Sequence, residues 1–276
     1  MLRILINALR TGLVTTRYPA EPGVPPQRFR GLPVLHAGTH LPPPTVCPTG
    51  ALSERNDAGE RRVTLDAAQC IFCGRCAEDP WADAITIGRD FELAARNRAD
   101  MRIEVVADSD AGAGRRPHDP GAGAELAARE IHHVLGRSLH LRHLDAGSCN
   151  ACDWELAALL NPVYDIRRLG IDFVASPRHA DGIAITGPVT RNLETAVLRT
   201  VEAIPDPRIV IAVGACAASG GIVGEGYASA GGVDRVLPVD VYIPGCPPRP
   251  EAIIFGILVA LGRMDARRLG RADRLG

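Results

Sequence analysis

The chain has 276 residues, enough for two cores, and its 31 basic and 32 acidic side chains leave a net charge of −1. A balance this close gives no long-range field to gather nucleic acid, which is set aside as a partner. Every basic residue is arginine, and together with 29 glycines and 22 prolines this reads as GC-rich coding rather than as a functional signal.

The first element, "MLRILINALRTG", places Leu2, Leu5, Ile6 and Leu9 on one helical face with Arg3 and Arg10 elsewhere. Such a helix packs on its own domain, on a partner, or on a membrane surface or membrane subunit. No apolar run reaches the ~18 residues that cross a bilayer, and the start lacks an apolar segment followed by a cleavage site. The expected location is therefore cytoplasmic, where disulfides are not expected among the eight cysteines.

Three of those cysteines, Cys70, Cys73 and Cys76, stand in "QCIFCGRC" with the C-x-x-C-x-x-C spacing of a bacterial ferredoxin run. Where that run continues to a fourth cysteine and a proline, this chain has Pro80 and Trp81. A trailing Cys-Pro does occur upstream, at Cys47-Pro48 in "TVCPTGAL", but the three positions that should precede it are Ala37, His40 and Pro43. In two-cluster ferredoxins the trailing cysteine of each run serves the other run's cluster. The losses are thus complementary: one ligand set is gone entirely and the other is complete. Cys47, Cys70, Cys73 and Cys76 are expected to hold a single 4Fe-4S cluster, with zinc as the alternative and His40 read as a surface residue. Strand-like runs "RRVTLD" and "AITIG" flank the cysteines, giving an α+β ferredoxin-like domain over residues 1–105.

Residues 106–123, "VADSDAGAGRRPHDPGAG", show neither helical nor strand period and read as a linker, and "AELAAREIHHVLG" as a lead-in helix, together filling 106–137. From residue 138 short apolar runs at 138–144, 182–186, 208–214 and 239–245 alternate with helical patterns in "RNLETAVLRTVEAI" and "RPEAIIFGILVALG", the second with proline in its first turn. Strands alternating with helices imply a parallel sheet that binds ligands beyond its carboxyl ends. Cys149 and Cys152 follow the first of these strands, Cys216 the third and Cys246 the fourth, so one sheet edge can gather all four. Glycine-rich surroundings ("GSCNAC", "VGACAASGG", "IPGCPP") suit backbone wrapped closely around an inorganic body. One C-x-x-C joined by two isolated cysteines fits a second 4Fe-4S cluster better than the paired knuckles of structural zinc, which remains the alternative.

With both sets in view, the chain resembles two neighbouring subunits of the group 4, membrane-associated nickel-iron hydrogenases of the formate hydrogenlyase and hydrogenase-4 type, fused into one. Residues 1–105 resemble the polyferredoxin subunit through "LRTGLVTTRYP", "FRGLP", "CIFCGRC" and "DFELAARNRADM". Residues 138–262 resemble the small subunit, related to the 20 kDa subunit of NADH:quinone oxidoreductase (complex I), through "LHLRHLDAGSCNACDWE", "ITGPVTRN", "VGACAASGG" and "VDVYIPGCPPRPEAI". The tail, 263–276, lies outside it. The resemblance implies a flavodoxin-like fold whose proximal 4Fe-4S cluster, on Cys149, Cys152, Cys216 and Cys246, faces a large catalytic subunit. In complex I relatives the first two ligands are adjacent cysteines, whereas "CNAC" has the hydrogenase spacing. The ferredoxin half departs from its family in keeping one ligand set instead of two. Glu155, three residues after Cys152, matches an acidic position of the family and is a candidate for proton movement, against a plain helix-start role.

The leading expectation is an electron-relay subunit of a membrane-associated nickel-iron hydrogenase, peripheral on the inner face of the cell membrane. Its partners would be the nickel-iron large subunit or a complex I-like homologue, membrane-embedded subunits, and a redox donor or acceptor protein. A nickel-free, complex I-like quinone oxidoreductase and a zinc-stabilised adaptor are the alternatives.

Overall fold

A computed structural model describes residues 2–36, 41–57, 60–106 and 138–272. The body of the expected linker with its lead-in helix, and the positions Ala37 and His40, lie outside them.

The second half carries a five-stranded parallel sheet built from β6 (Leu139–Asp145), β7 (Ile171–Phe173), β8 (Gly182–Thr186), β9 (Ile209–Val213) and β10 (Val241–Ile243), in the order β10-β9-β8-β6-β7. Every residue of β8, β9 and β10 is buried, as expected where helices cover both faces of a sheet. This is the expected flavodoxin-like α/β architecture. The four strands read from the sequence are all present, and β7 is an addition at the sheet edge. Helix α2 (Ala151–Ala158) follows β6, α3 (Arg191–Glu202) follows β8 and buries Val197 and Val201, and α4 (Ala215–Ser219) is a short turn after β9. Helix α5 (Pro250–Ala272) begins at the expected proline but runs past Gly262 well into the arginine-rich tail. Among the described residues no helix is long and apolar enough to cross a membrane.

In the first half α1 (Leu2–Thr11) precedes an antiparallel pair of β1 (Pro33–Leu35) with β4 (Ile85–Ile87) and a three-stranded antiparallel sheet of β2 (Leu52–Asp57), β3 (Glu60–Asp66) and β5 (Arg102–Val106). β3 and β4 are the two runs read from the sequence. The cysteine-bearing loop lies between them.

The expectation of one core per half is replaced by a different arrangement: each hydrophobic cluster draws residues from both halves. Leu41, Leu65, Met101 and Ile103 share one cluster with Ile183, Ile185 and Val210, while Tyr18, Phe91 and Ala94 share the other with Leu139, Ile211 and Ile254. Backbone bonds close the seam, with Ala95 N–H donating to Tyr242 O (3.1 Å), Tyr242 N–H to Ala95 O (2.9 Å) and Thr16 N–H to Val163 O (2.8 Å). Small residues permit the approach. A Cβ on Gly256 would stand 2.3 Å from Ile243 Cδ1 and 3.3 Å from Ala94 Cβ, so α5 can touch both only with glycine there.

Candidate metal centres

Cys47, Cys70, Cys73 and Cys76 line one pocket. Cys47 ends a short 3-10 turn, Pro44–Val46, and Cys76 lies inside another, Arg75–Ala77, that starts at Gly74 with φ +83. Between Cys70 and Cys73 the chain turns through Phe72 at φ 55, and the Phe72 N–H donates to Cys70 Sγ at 3.3 Å. Burial, with smaller contributions from neighbouring thiols, pushes the Cys70 thiol up to about 12 and the Cys76 thiol up to about 11. Cys47 goes the other way. Burial alone would raise it, but bonds from the Thr49 hydroxyl and from the backbone at Leu52, Thr49 and Ala51 bring it below its ordinary value. Those donors converge on a sulfur as they would on a thiolate bound to metal.

The second group sits at the carboxyl edge of the parallel sheet. Cys149 and Cys246 are exposed, and Cys152 and Cys216 are partly buried. The Cys152 thiol is raised by burial first and then by Cys216, Cys246, Asp153 and Cys149; Cys216 is raised by burial, Cys246 and Cys149. The four sulfurs are therefore close enough to feel one another. Two glycines make room for them: a Cβ on Gly214 would be 2.5 Å from Cys152 Sγ, and one on Gly221 would be 2.9 Å from Cys216 Sγ.

A polar lock that the sequence did not advertise holds the α2 end of this group. Asp153 accepts from the Thr186 hydroxyl (2.7 Å) and from the Ser148 hydroxyl, and stands 2.8 Å from His143 Nε2, which pins the first turn of α2 to β6 and β8. Burial would raise the Asp153 carboxyl, but these bonds and His143 outweigh it and leave it below its ordinary value. Glu155, one turn into the same helix, is raised by burial and then by Glu251, against Arg249.

Each set offers four cysteine thiols with backbone close by, the donor chemistry of a four-thiolate inorganic centre. Among the described residues no three His, Cys, Asp or Glu side chains form a single-ion site. Near Cys152 and Cys216 in sequence stand exposed apolar side chains, with Trp154 75% exposed, Ile222 64% and Val223 60%. Clustered exposed apolar side chains are a feature of protein, membrane and ligand contact sites.

Gly214→Ala is expected to destabilise the chain by about 2–4 kcal/mol, because φ +88 strains alanine and its methyl would collide with Cys152 Sγ. Chemical denaturation checks it. An unchanged midpoint would mean that neither the strain at φ +88 nor the approach to Cys152 costs stability here.

Fold and edge together define a flavodoxin-like domain whose sheet ends in a cysteine cluster. Residues 149–260 match the family described as NADH ubiquinone oxidoreductase, 20 Kd subunit. The chain belongs to that family, which includes small subunits of both complex I and membrane-bound hydrogenases. It is 48% identical over 130 residues to the probable membrane-bound hydrogenase subunit mbhJ of Pyrococcus furiosus, covering 47% of this chain and 78% of that protein. It is 47% identical over 133 residues to formate hydrogenlyase subunit 7 of Escherichia coli, covering 48% of this chain and 52% of that one. To a subunit of the NADH-quinone oxidoreductase of Geotalea daltonii it is 44% identical over 130 residues, covering 45% of this chain and 76% of the relative.

Proposed function

We propose that this chain is the electron-relay subunit of a membrane-associated nickel-iron hydrogenase, uniting in one polypeptide a ferredoxin-like module and a small subunit. The supporting observation is that its eight cysteines fall into two complete groups of four, one lining a pocket in the first half and one along the sheet edge of the second. Cys47, Cys70, Cys73 and Cys76 would hold one 4Fe-4S cluster, and Cys149, Cys152, Cys216 and Cys246 another. Bound clusters supply one-electron redox capacity. The chain's own contribution is to present thiolates, aim the Phe72 N–H at Cys70 Sγ, and bring backbone against Cys152 and Cys216.

The C-x-x-C spacing of Cys149 and Cys152 supports a nickel-iron large subunit as the partner over the exposed edge, with membrane-embedded subunits and a redox protein completing the complex. The chain would then sit peripherally on the inner face of the membrane. Glu155, with its raised proton affinity beside Glu251 and Arg249, is suited to pass protons to that partner. The 44% identity to an NADH-quinone oxidoreductase subunit favours a second reading, a nickel-free complex I-like quinone oxidoreductase.

Anaerobically prepared chain is expected to carry about eight irons with matching acid-labile sulfide, since eight thiols make two four-iron sites. Stoichiometric zinc with iron near zero would replace this reading by a structural-metal adaptor. Twelve irons would mean that the first half holds a second cluster.

A further inference from the structure

One pocket brings the loop between Cys70 and Cys73 together with the loop that carries Cys246, the cysteine that lines it. One wall carries Ile71 and Phe72, from between Cys70 and Cys73, and the other carries Gly245, Cys246 and Pro248. The second wall is stiff. A Cβ on Gly245 would lie 2.4 Å from Pro248 Cα, so this loop is folded tightly on itself, and Pro247 and Pro248 fix two successive φ angles. Arg249 follows directly on this tight loop, three residues after Cys246.

Arg249 does not stay with its own half. Its Cζ lies 4.7 Å from the ring centroid of Phe91 and 5.4 Å from that of Phe29, two aromatics of the first half that meet edge to face at 6.4 Å. Its Nε and Nη2 fork onto Glu251 at 2.8 and 2.6 Å, leaving a guanidinium plane held from both sides. The neighbour of Phe29 serves the opposite wall, since Arg30 Nη1 donates to the Cys73 carbonyl at 2.6 Å. Residues 29 and 30 thus form one strut, gripping the Cys246 side through Arg249 and the Cys73 side directly.

We propose that Arg249 is a positioning residue that fixes the approach of the Cys246 loop to the Cys70–Cys73 loop, and with it the electronic coupling between whatever the two cysteine groups hold. The coupling clause rests on the two-cluster reading above; the positioning clause does not. Arginine is required because only a planar guanidinium both stacks on two rings and forks onto a carboxylate. Lysine keeps the charge and loses both.

The test uses the full anaerobic chain with both sites loaded and reduced, comparing wild type with Arg249→Lys by electron paramagnetic resonance at equal iron content. Wild type is expected to show magnetic interaction between two paramagnets, and Arg249→Lys to lose most of it while each individual signal persists. Undiminished interaction in Arg249→Lys, or no interaction in a wild type that holds both clusters, overturns the proposal. If metal analysis finds no second cluster, the two-cluster reading and the coupling clause fall together. The positioning clause is then decided by hydrogen exchange on the full chain as isolated. Arg249→Lys is expected to speed exchange in peptides covering residues 28–32 and 89–95 about fivefold, the factor that ~1 kcal/mol represents, with β6 unchanged. Equal rates in those peptides overturn it.

Discussion

Cys73→Ser is expected to remove about half of the bound iron and the paramagnetic signal of the first site while leaving the second site's signal intact, and Cys216→Ser is expected to do the reverse. Cys73 shares its pocket with Cys47, Cys70 and Cys76, and a serine hydroxyl is a poor substitute for a thiolate toward iron. Because the hydrophobic clusters span both halves, damage at one site could in principle spread to the other. Proton affinities argue against it. Burial pushes Cys70 up to about 12 and Cys76 up to about 11, so these two thiols, left without metal, stay protonated and neutral at pH 7 and add no buried charge to the emptied pocket. Cys47→Ser carries the most information. Residue 47 is far in sequence from the C-x-x-C-x-x-C run, so a first site that survived its loss would overturn the ligand set and require another fourth donor. Iron analysis and low-temperature spectra of the three variants decide the matter.

What could be read from the sequence was whatever depends on local pattern. The strands at 182–186, 209–213 and 241–243 are short, almost wholly apolar runs, the strand at 139–145 alternates leucines with polar residues over its first half, and the sheet they form carries Cys149, Cys152, Cys216 and Cys246 to one edge. The pocket of Cys47 with the later three cysteines was legible because ferredoxin runs exchange their last ligands. Strands β1 and β7, of three residues each, are too short to show a period, and β2, "LSERND", is nearly all polar because its side chains lie at the surface. The shared core was invisible for another reason. Its contacts join residues such as Ala94 to Gly256 and Phe91 to Arg249, more than a hundred positions apart, and small or charged residues have no periodic signature. The Asp153 lock was hidden in the same way, since His143, Ser148 and Thr186 meet it only once β6, α2 and β8 are aligned.

The isolated, nickel-free chain is expected to show no hydrogen turnover above background, and to gain it only on joining a large subunit over the Cys149–Cys246 edge. The thiol accounting leads there. On the proposed two-cluster reading each group of four would be used up by its own cluster, which would leave no thiolate for a nickel site, and a relay of single electrons does not by itself assemble dihydrogen. The sequence around the cysteines agrees: Trp154 follows Cys152 by two residues, Ile222 and Val223 follow Cys216 by six and seven, and all three are more than half exposed. Left bare, such side chains promote aggregation; covered by a partner, an exposed tryptophan is the kind of side chain that dominates binding energy. Trp154→Asp should therefore raise the solubility of the isolated chain and weaken its assembly with the large subunit by about 2 kcal/mol, roughly 30-fold, without reducing its iron content. Pull-down titration against the native large subunit, with iron analysis alongside, measures both quantities. Unchanged affinity would move the docking surface elsewhere. Hydrogen turnover by the chain alone would end the relay assignment, and a native large subunit free of nickel would transfer it to a complex I-like quinone oxidoreductase, whose partner would cover the same edge.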